Sequence, residues 1–291
     1  MTSATRGPRG ARRRTAAAAV TVLALAACGT GANAGDDEDG SSTAGVPGLA
    51  PHEYLPGLEA HPHVPESAGS APVVVMIPGG SWQSANPSAL APLAEALAAG
   101  GVVAVPVTIR ASADDVVYPT PVEDILCALA DGAATAREAG IDPDRLVLLG
   151  HSSGAHLSAV ATLAADRFSP DCEDPVVEPD AFIGLAGPYD IRQFADAADA
   201  LFAAPIDEAP GEWDAANPVI HADLRPEVPV LLLHGEADDV VPVSFTTDFG
   251  TALEAAGHAT TVRVLTGEDH ETVYAAETAA RPVVDWLESL P

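Results

Sequence analysis

The sequence predicts an α/β domain with a mostly parallel central sheet and helices on both faces. Three observations predict it. Short apolar or β-branched runs alternate with longer amphipathic stretches from Val73 onward. Glycine or proline bounds most of these segments. The chemically able side chains fall just after the runs, where such sheets bind ligands.

Residues 73–77, 102–109, 146–149, 181–186, 230–234 and 261–265 read as buried strands. Residues 88–99, 121–139, 153–165, 244–256 and 271–290 read as helices; Gly100, Gly140 and Gly257 stop the first, second and fourth. The proline-rich segment 51–66 has to supply any opening antiparallel strands. His61 and His63, two apart within it, read as surface residues of an edge strand. No Cys/His spacing suited to a metal follows elsewhere, and neither a metal nor an organic cofactor is expected. Residues 187–229 form a small cap, in which Phe194, Phe202 and Trp213 are expected to line an acyl pocket with Trp82 and Tyr189 as substrate-binding residues.

The first 27 of the 291 residues read as a targeting segment. Arg6, Arg9 and Arg12 to Arg14 give a positive start, and an apolar stretch too short to span a bilayer follows. It ends in Leu25-Ala26-Ala27-Cys28, which resembles the lipobox of bacterial lipoproteins and implies lipidation of Cys28. An ordinary secretory signal is the alternative. Residues 28–48, with Asp36-Asp37-Glu38-Asp39, suit a solvated acidic tether. Residues 49–291 remain for one domain, expected outside the cytoplasm and held to the membrane by the lipid.

Beyond the leader the chain has eight arginines, no lysine and 42 acidic residues, a formal charge of −34. That field repels nucleic acid and anionic surfaces. It does not identify a substrate. Cys127 and Cys172 lie on segments flanking one strand, and in an exported protein they are expected to pair; one buried and one surface thiol is the alternative.

The most informative segment is Gly150-His151-Ser152-Ser153-Gly154, between a strand and a helix. There Gly-x-Ser-x-Gly is a nucleophile elbow, a turn so tight that only glycine fits beside the serine. A serine hydroxyl needs a histidine base, and the base needs a carboxylate. The later strands run into Asp238 and into Asp269-His270, which completes a triad of Ser152, Asp238 and His270. Asp239 rivals Asp238, but the pattern His-Gly-x-x-Asp-x-x-Val-Pro selects Asp238. His151 sits inside the elbow, His234 packs beneath a turn, and His258 is expected on the surface. After the first strand, Pro78-Gly79-Gly80-Ser81-Trp82 offers backbone donors to an oxyanion. The N–H groups of Gly80, Ser81 and Ser153 are expected to form that hole.

These motifs resemble α/β-hydrolase esterases of the kynurenine formamidase and carboxylesterase kind. Residues 77–82 are similar to their His-Gly-Gly-x-Trp motif, and residues 150–157 to Gly-His-Ser-Ala-Gly-x-His-Leu. The resemblance implies an α/β-hydrolase fold and a serine esterase that acts on small esters, with an amidase of the same fold or a non-catalytic binding protein as alternatives. Pro78 departs from the pattern, since it stands where the family has a histidine that helps to hold the oxyanion loop. Arg110 and Asp124 match family positions and read as scaffold.

Overall fold

Strands made of Val, Leu and Ile need cover on both faces, and this chain supplies it from alternate sides. A computed structural model describes residues 49–291. The leader and tether, with Cys28, lie outside the described residues.

The domain opens on an antiparallel hairpin of β1 (His52–Leu55) and β2 (Leu58–Ala60). This pair forms its own small sheet and touches the main one through bridges from Ala60 to Val107 and from His63 to Ala104. The main sheet follows with β3 (Ser70–Ile77), α1 (Ala91–Ala99), β4 (Val103–Pro106), α2 (Thr120–Glu138), β5 (Asp142–His151), α3 (Ser153–Leu163) and β6 (Ala181–Leu185). Two short cap helices come next, α4 (Ala195–Ala198) and α5 (Pro210–Ala215). β7 (Val230–Gly235), α6 (Ser244–Ala256), β8 (Thr260–Leu265) and α7 (Ala276–Ser289) complete it. The six strands are all parallel, in the order β4-β3-β5-β6-β7-β8. This is the α/β-hydrolase architecture that the sequence predicts.

Alternation along the strands divides the core. Val74, Met76, Val147, Leu149, Ile183 and Leu231 meet α1 and α7 on one face. Val73, Val75, Ile77 and Leu148 meet α2 and α3 on the other, while Phe182 and Leu232 meet α3 and α6. Period-two alternation with both faces apolar is what an all-parallel sheet requires.

Several boundaries differ from expectation: β3 opens at Ser70 and β5 at Asp142, three and four residues early, and three others have a local cause. The run 102–109 is strand only to Pro106; Val107 N–H still donates to the Met76 carbonyl at 3.1 Å, but from there the chain turns to the hairpin, where Val107 bridges Ala60 and Thr108 N–H donates to the Glu59 carbonyl at 2.9 Å. The first helix starts as a 3₁₀ turn, Pro87–Leu90, capped by the Asn86 side chain. The last helix starts at Ala276, because Ala275 is extended (ψ 144°) after a separate 3₁₀ turn.

Cys127 on α2 is disulfide-bonded to Cys172 in the segment after α3, with Cα atoms 5.1 Å apart. The cap corrects the expected acyl pocket. Phe202 and Trp213 stack on each other with centroids 4.1 Å apart and are buried inside the cap. Tyr189 is fully buried and stacks on Phe249 of α6 at 4.4 Å, so it belongs to the core and not to a substrate surface. The Phe202 and Trp213 rings continue the core that α2 and α3 share with β3 and β5, and so seat the cap on the domain. His258 is also buried, with its ring nitrogens 2.9 and 3.0 Å from the carbonyls of Val228 and Ala222.

Candidate active site

The site assembles at the carboxyl ends of β3, β5, β7 and β8. Ser152 leaves β5 in a strained conformation, φ 52° and ψ −124°. Its N–H donates to the Leu185 carbonyl of β6 at 2.9 Å, which seats the turn on the sheet. A Cβ on Gly150 would collide with the backbone of Gly154 and Ala155, and one on Gly154 with the carbonyls of Ile77 and Pro78. Both flanking glycines are therefore obligatory for this turn.

His270 follows β8. Asp269 Oδ1 accepts from the N–H groups of Glu271 at 3.0 Å and Thr272 at 2.8 Å. That turn swings the imidazole over the elbow, and the same donors hold the Asp269 carboxyl below its ordinary range. His270 Nε2 lies 3.0 Å from Ser152 Oγ, and Nδ1 lies 2.8 Å from Asp238 Oδ2. The Asp238 carboxylate is fully buried. Its Oδ1 accepts from the N–H groups of Val240 and Val241 at 2.9 and 2.8 Å. Asp239 next to it is exposed. The geometry unites Ser152, Asp238 and His270 and leaves Asp239 outside.

His151 supports the base from below. Nε2 of His151 is 2.9 Å from the His270 carbonyl, and a carbonyl only accepts, so Nε2 carries the proton. The ring is sandwiched between His270 and Tyr274, with centroids 4.8 and 4.4 Å away. Burial pushes its pKa down to about 3 and keeps it neutral. The sequence identifies His151 only as unable to reach the serine; its contact with the base depends on where β8 ends.

The loop expected to hold the oxyanion lies beside the elbow. Ser81 and Trp82 are both left-handed, at φ 54° and 58°. The Trp82 indole N–H donates to His156 Nδ1 at 3.1 Å, and His156 Nε2–H donates to the Ala216 carbonyl at 2.8 Å. One neutral imidazole on α3, its pKa lowered to about 4 by burial, thus ties the loop to the cap. Trp82 is buried, so its ring serves as an anchor for the loop more than as a substrate wall. Among the described residues, the N–H groups of Ser81 and Ser153 have no acceptor. Gly80 N–H has one: it donates to Ser153 Oγ at 3.1 Å.

Two hollows locate free space. A cavity of about 10 Å³ beneath the loop is lined by Pro78, Trp82, Ser153, Leu157 and Leu201, and has room for at most about one water. A surface cleft of about 680 Å³ between residues 62–67 and α1 contains no triad residue. Ser152 itself is partly open to solvent. Arg110, with Nε and Nη2 on the buried carboxylate of Asp124, braces the start of the neighbouring loop.

With this geometry in view, the likenesses to known proteins are specific. The family model BD-FAE matches residues 62–253. The chain is 32% identical over 187 residues to a "Probable carboxylic ester hydrolase LipM" of Mycobacterium tuberculosis, covering 60% of this chain and 43% of that protein. It is 29% identical over 211 residues to "Esterase LipQ" of the same organism, covering 65% and 47%. The chain thus spans about half the length of these relatives. Among solved structures, the propionate-bound esterase Est2 of Thermogutta terrifontis superposes with a TM-score of 0.66 at 22% identity, covering 84% of this chain and 93% of that one. A truncated carbohydrate esterase from gut microbiota superposes with 0.65 at 21%, covering 79% and 89%.

Proposed function

Because this chain belongs to the BD-FAE family, we propose that it is a carboxylic ester hydrolase working through Ser152, His270 and Asp238. One observation carries the reading: a single imidazole lies 3.0 Å from the elbow hydroxyl and 2.8 Å from a buried carboxylate.

Ser152 Oγ adds to the ester carbonyl as His270 Nε2 takes its proton. Asp238 holds the imidazole by Nδ1 and stabilises its cation. Backbone N–H groups beside the elbow receive the negative charge on the carbonyl oxygen. Collapse expels the alcohol, protonated by His270. Water, deprotonated by His270, then releases the acid and restores Ser152.

Short acyl chains on a small or carbohydrate alcohol suit this site. The partly open serine supports that class, as do the propionate bound by Est2 and the carbohydrate esterase among the structural neighbours. The likeness of residues 77–82 to His-Gly-Gly-x-Trp supports the same reading. We also propose export, with Cys28 as a lipid anchor; the support is the leader sequence alone. Among the described residues, no helix is long and apolar enough to cross a membrane. Cys28→Ser is expected to move the protein from the membrane to the soluble fraction, and unchanged retention overturns the anchor.

The test of activity is hydrolysis of p-nitrophenyl esters from acetate to palmitate, with Ser152→Ala beside the wild type. Hydrolysis of the short esters, reduced about 10⁴-fold or more in the variant, is expected. A folded wild type that cleaves none of them and resists a fluorophosphonate overturns the reading.

A further inference from the structure

The loop carrying Ser81 is held in a conformation it would not adopt alone. Left-handed backbone at two successive non-glycine residues persists only where the surroundings over-determine it. Its second half is well tied. Gly80 O accepts from the N–H groups of Gln83 and Ser84 at 2.9 and 3.3 Å, Trp82 O accepts from Ser112 N–H at 3.0 Å, and the indole is fixed to His156. The first half is not. Pro78 has neither a backbone donor nor a polar side chain, and Gly79 offers no side chain at all.

The bond that reaches from this half to the elbow is Gly80 N–H to Ser153 Oγ, 3.1 Å. Ser153 is 4% exposed, so the bond is shielded from water. Ser153 directly follows the nucleophile, and of the three N–H groups expected to form the hole only its own and that of Ser81 have no acceptor.

We infer that the Ser153 hydroxyl is a positioning residue that sets the oxyanion loop against the elbow, so that the working donors are Ser81 N–H and Ser153 N–H while Gly80 N–H is a strut. This amends the expectation that Gly80 donates to the oxyanion. The inference rests on the hydrolase reading above. A small residue would fill the space at position 153 equally well, but only a hydroxyl or another acceptor holds Gly80. The two working donors lie on separate chain segments, and donor placement within a fraction of an ångström governs the stabilisation of a developing charge.

The test compares the wild type, Ser153→Ala and Ser153→Thr in three readouts. They are the second-order rate at which a fluorophosphonate labels Ser152, kcat and KM on p-nitrophenyl butyrate, and hydrogen exchange of the Gly80 amide. In Ser153→Ala the labelling rate and kcat are expected to fall about 10- to 100-fold. KM is expected to stay within about threefold, and Gly80 to exchange at least about tenfold faster. Ser153→Thr keeps the hydroxyl and is expected to label within about threefold of the wild type. Three outcomes overturn the inference: a Ser153→Ala variant that labels normally, a slowed variant whose Gly80 exchange is unchanged, or a Thr variant as slow as the Ala variant. A wild type that does not label removes the hydrolase reading itself, a different failure from a labelled wild type matched by Ser153→Ala.

Discussion

His234 Nε2 lies 3.1 Å from Asp238 Oδ2, the same oxygen that receives His270 Nδ1 at 2.8 Å. His234 Nε2 is also 2.9 Å from the Val241 carbonyl. Both neighbours only accept, so Nε2 carries the proton and Nδ1 accepts from the Thr246 hydroxyl at 2.7 Å. Burial lowers the His234 pKa and keeps the ring neutral. The buried carboxylate is thus met by two imidazoles and two backbone N–H groups, which offset the cost of hiding its charge. Thr246→Val leaves Nδ1 without a donor in a closed site. Its expected cost is about 1–3 kcal/mol, read as a lower urea midpoint, with kcat within about threefold because Nε2–H is untouched. An unchanged midpoint would mean that the Thr246 hydroxyl does not hold this ring.

The choice between adjacent aspartates is testable by one pair of variants. Asp238→Asn preserves shape but removes the charge that stabilises the His270 cation, so kcat is expected to fall about 10⁴-fold. Asp239→Asn alters an exposed side chain and is expected to leave kcat within about twofold. Equal losses in the two would place the carboxylate wrongly.

Acid sensitivity follows from His151 and His156, whose pKa values are about 3 and about 4 in the folded state. Unfolded, both titrate near 6.5. The folded values are depressed, so the unfolded chain takes up the protons as pH falls below about 6.5, and stability declines from there toward the folded values. At pH 5 each histidine is expected to contribute about 2 kcal/mol of lost stability. Urea midpoints measured from pH 7.5 to 5 read this directly. His156→Gln is expected to be less stable throughout but to show a shallower slope; an unchanged slope would acquit that histidine.

Much of this architecture is legible in the sequence, and its limits are physical. The strand centres read correctly because a sheet covered on both faces demands continuous apolar runs, while the entries of β3 and β5, residues 70–72 and 142–145, are not apolar runs and did not. The alignment of Ser152, Asp238 and His270 is legible because each follows a strand end, and in a parallel sheet those ends share one edge. Tyr189 and Trp213 were not legible as core residues. An aromatic in a polar cap segment reads alike whether it faces a ligand or another ring, and the stack of Tyr189 on Phe249 joins segments 60 positions apart. The link between Ser153 and Gly80 was equally hidden, because it depends on how a left-handed loop after β3 approaches a turn after β5. Its one signal was the coincidence of Pro78 with a serine at 153, where the resembling elbow has alanine.

The bond between Cys127 and Cys172 joins positions 45 residues apart and ties α2 to the segment leaving α3. Closing a loop of that length restricts the unfolded chain by an amount worth about 4 kcal/mol in the chain-entropy view. Cys127 also packs inside the core shared by α2 and α3, so its replacement must not leave a single buried thiol. The double variant Cys127→Ala, Cys172→Ala is therefore the cleaner probe. Its melting midpoint is expected to fall by roughly 10 °C, while kcat at 25 °C stays within about twofold because neither residue touches Ser152, Asp238 or His270. Thiol titration of the folded wild-type domain of residues 49–291 is expected to find no free thiol before reduction. A double variant that melts with the wild type would mean that the α2–α3 core, not the cross-link, holds these segments together.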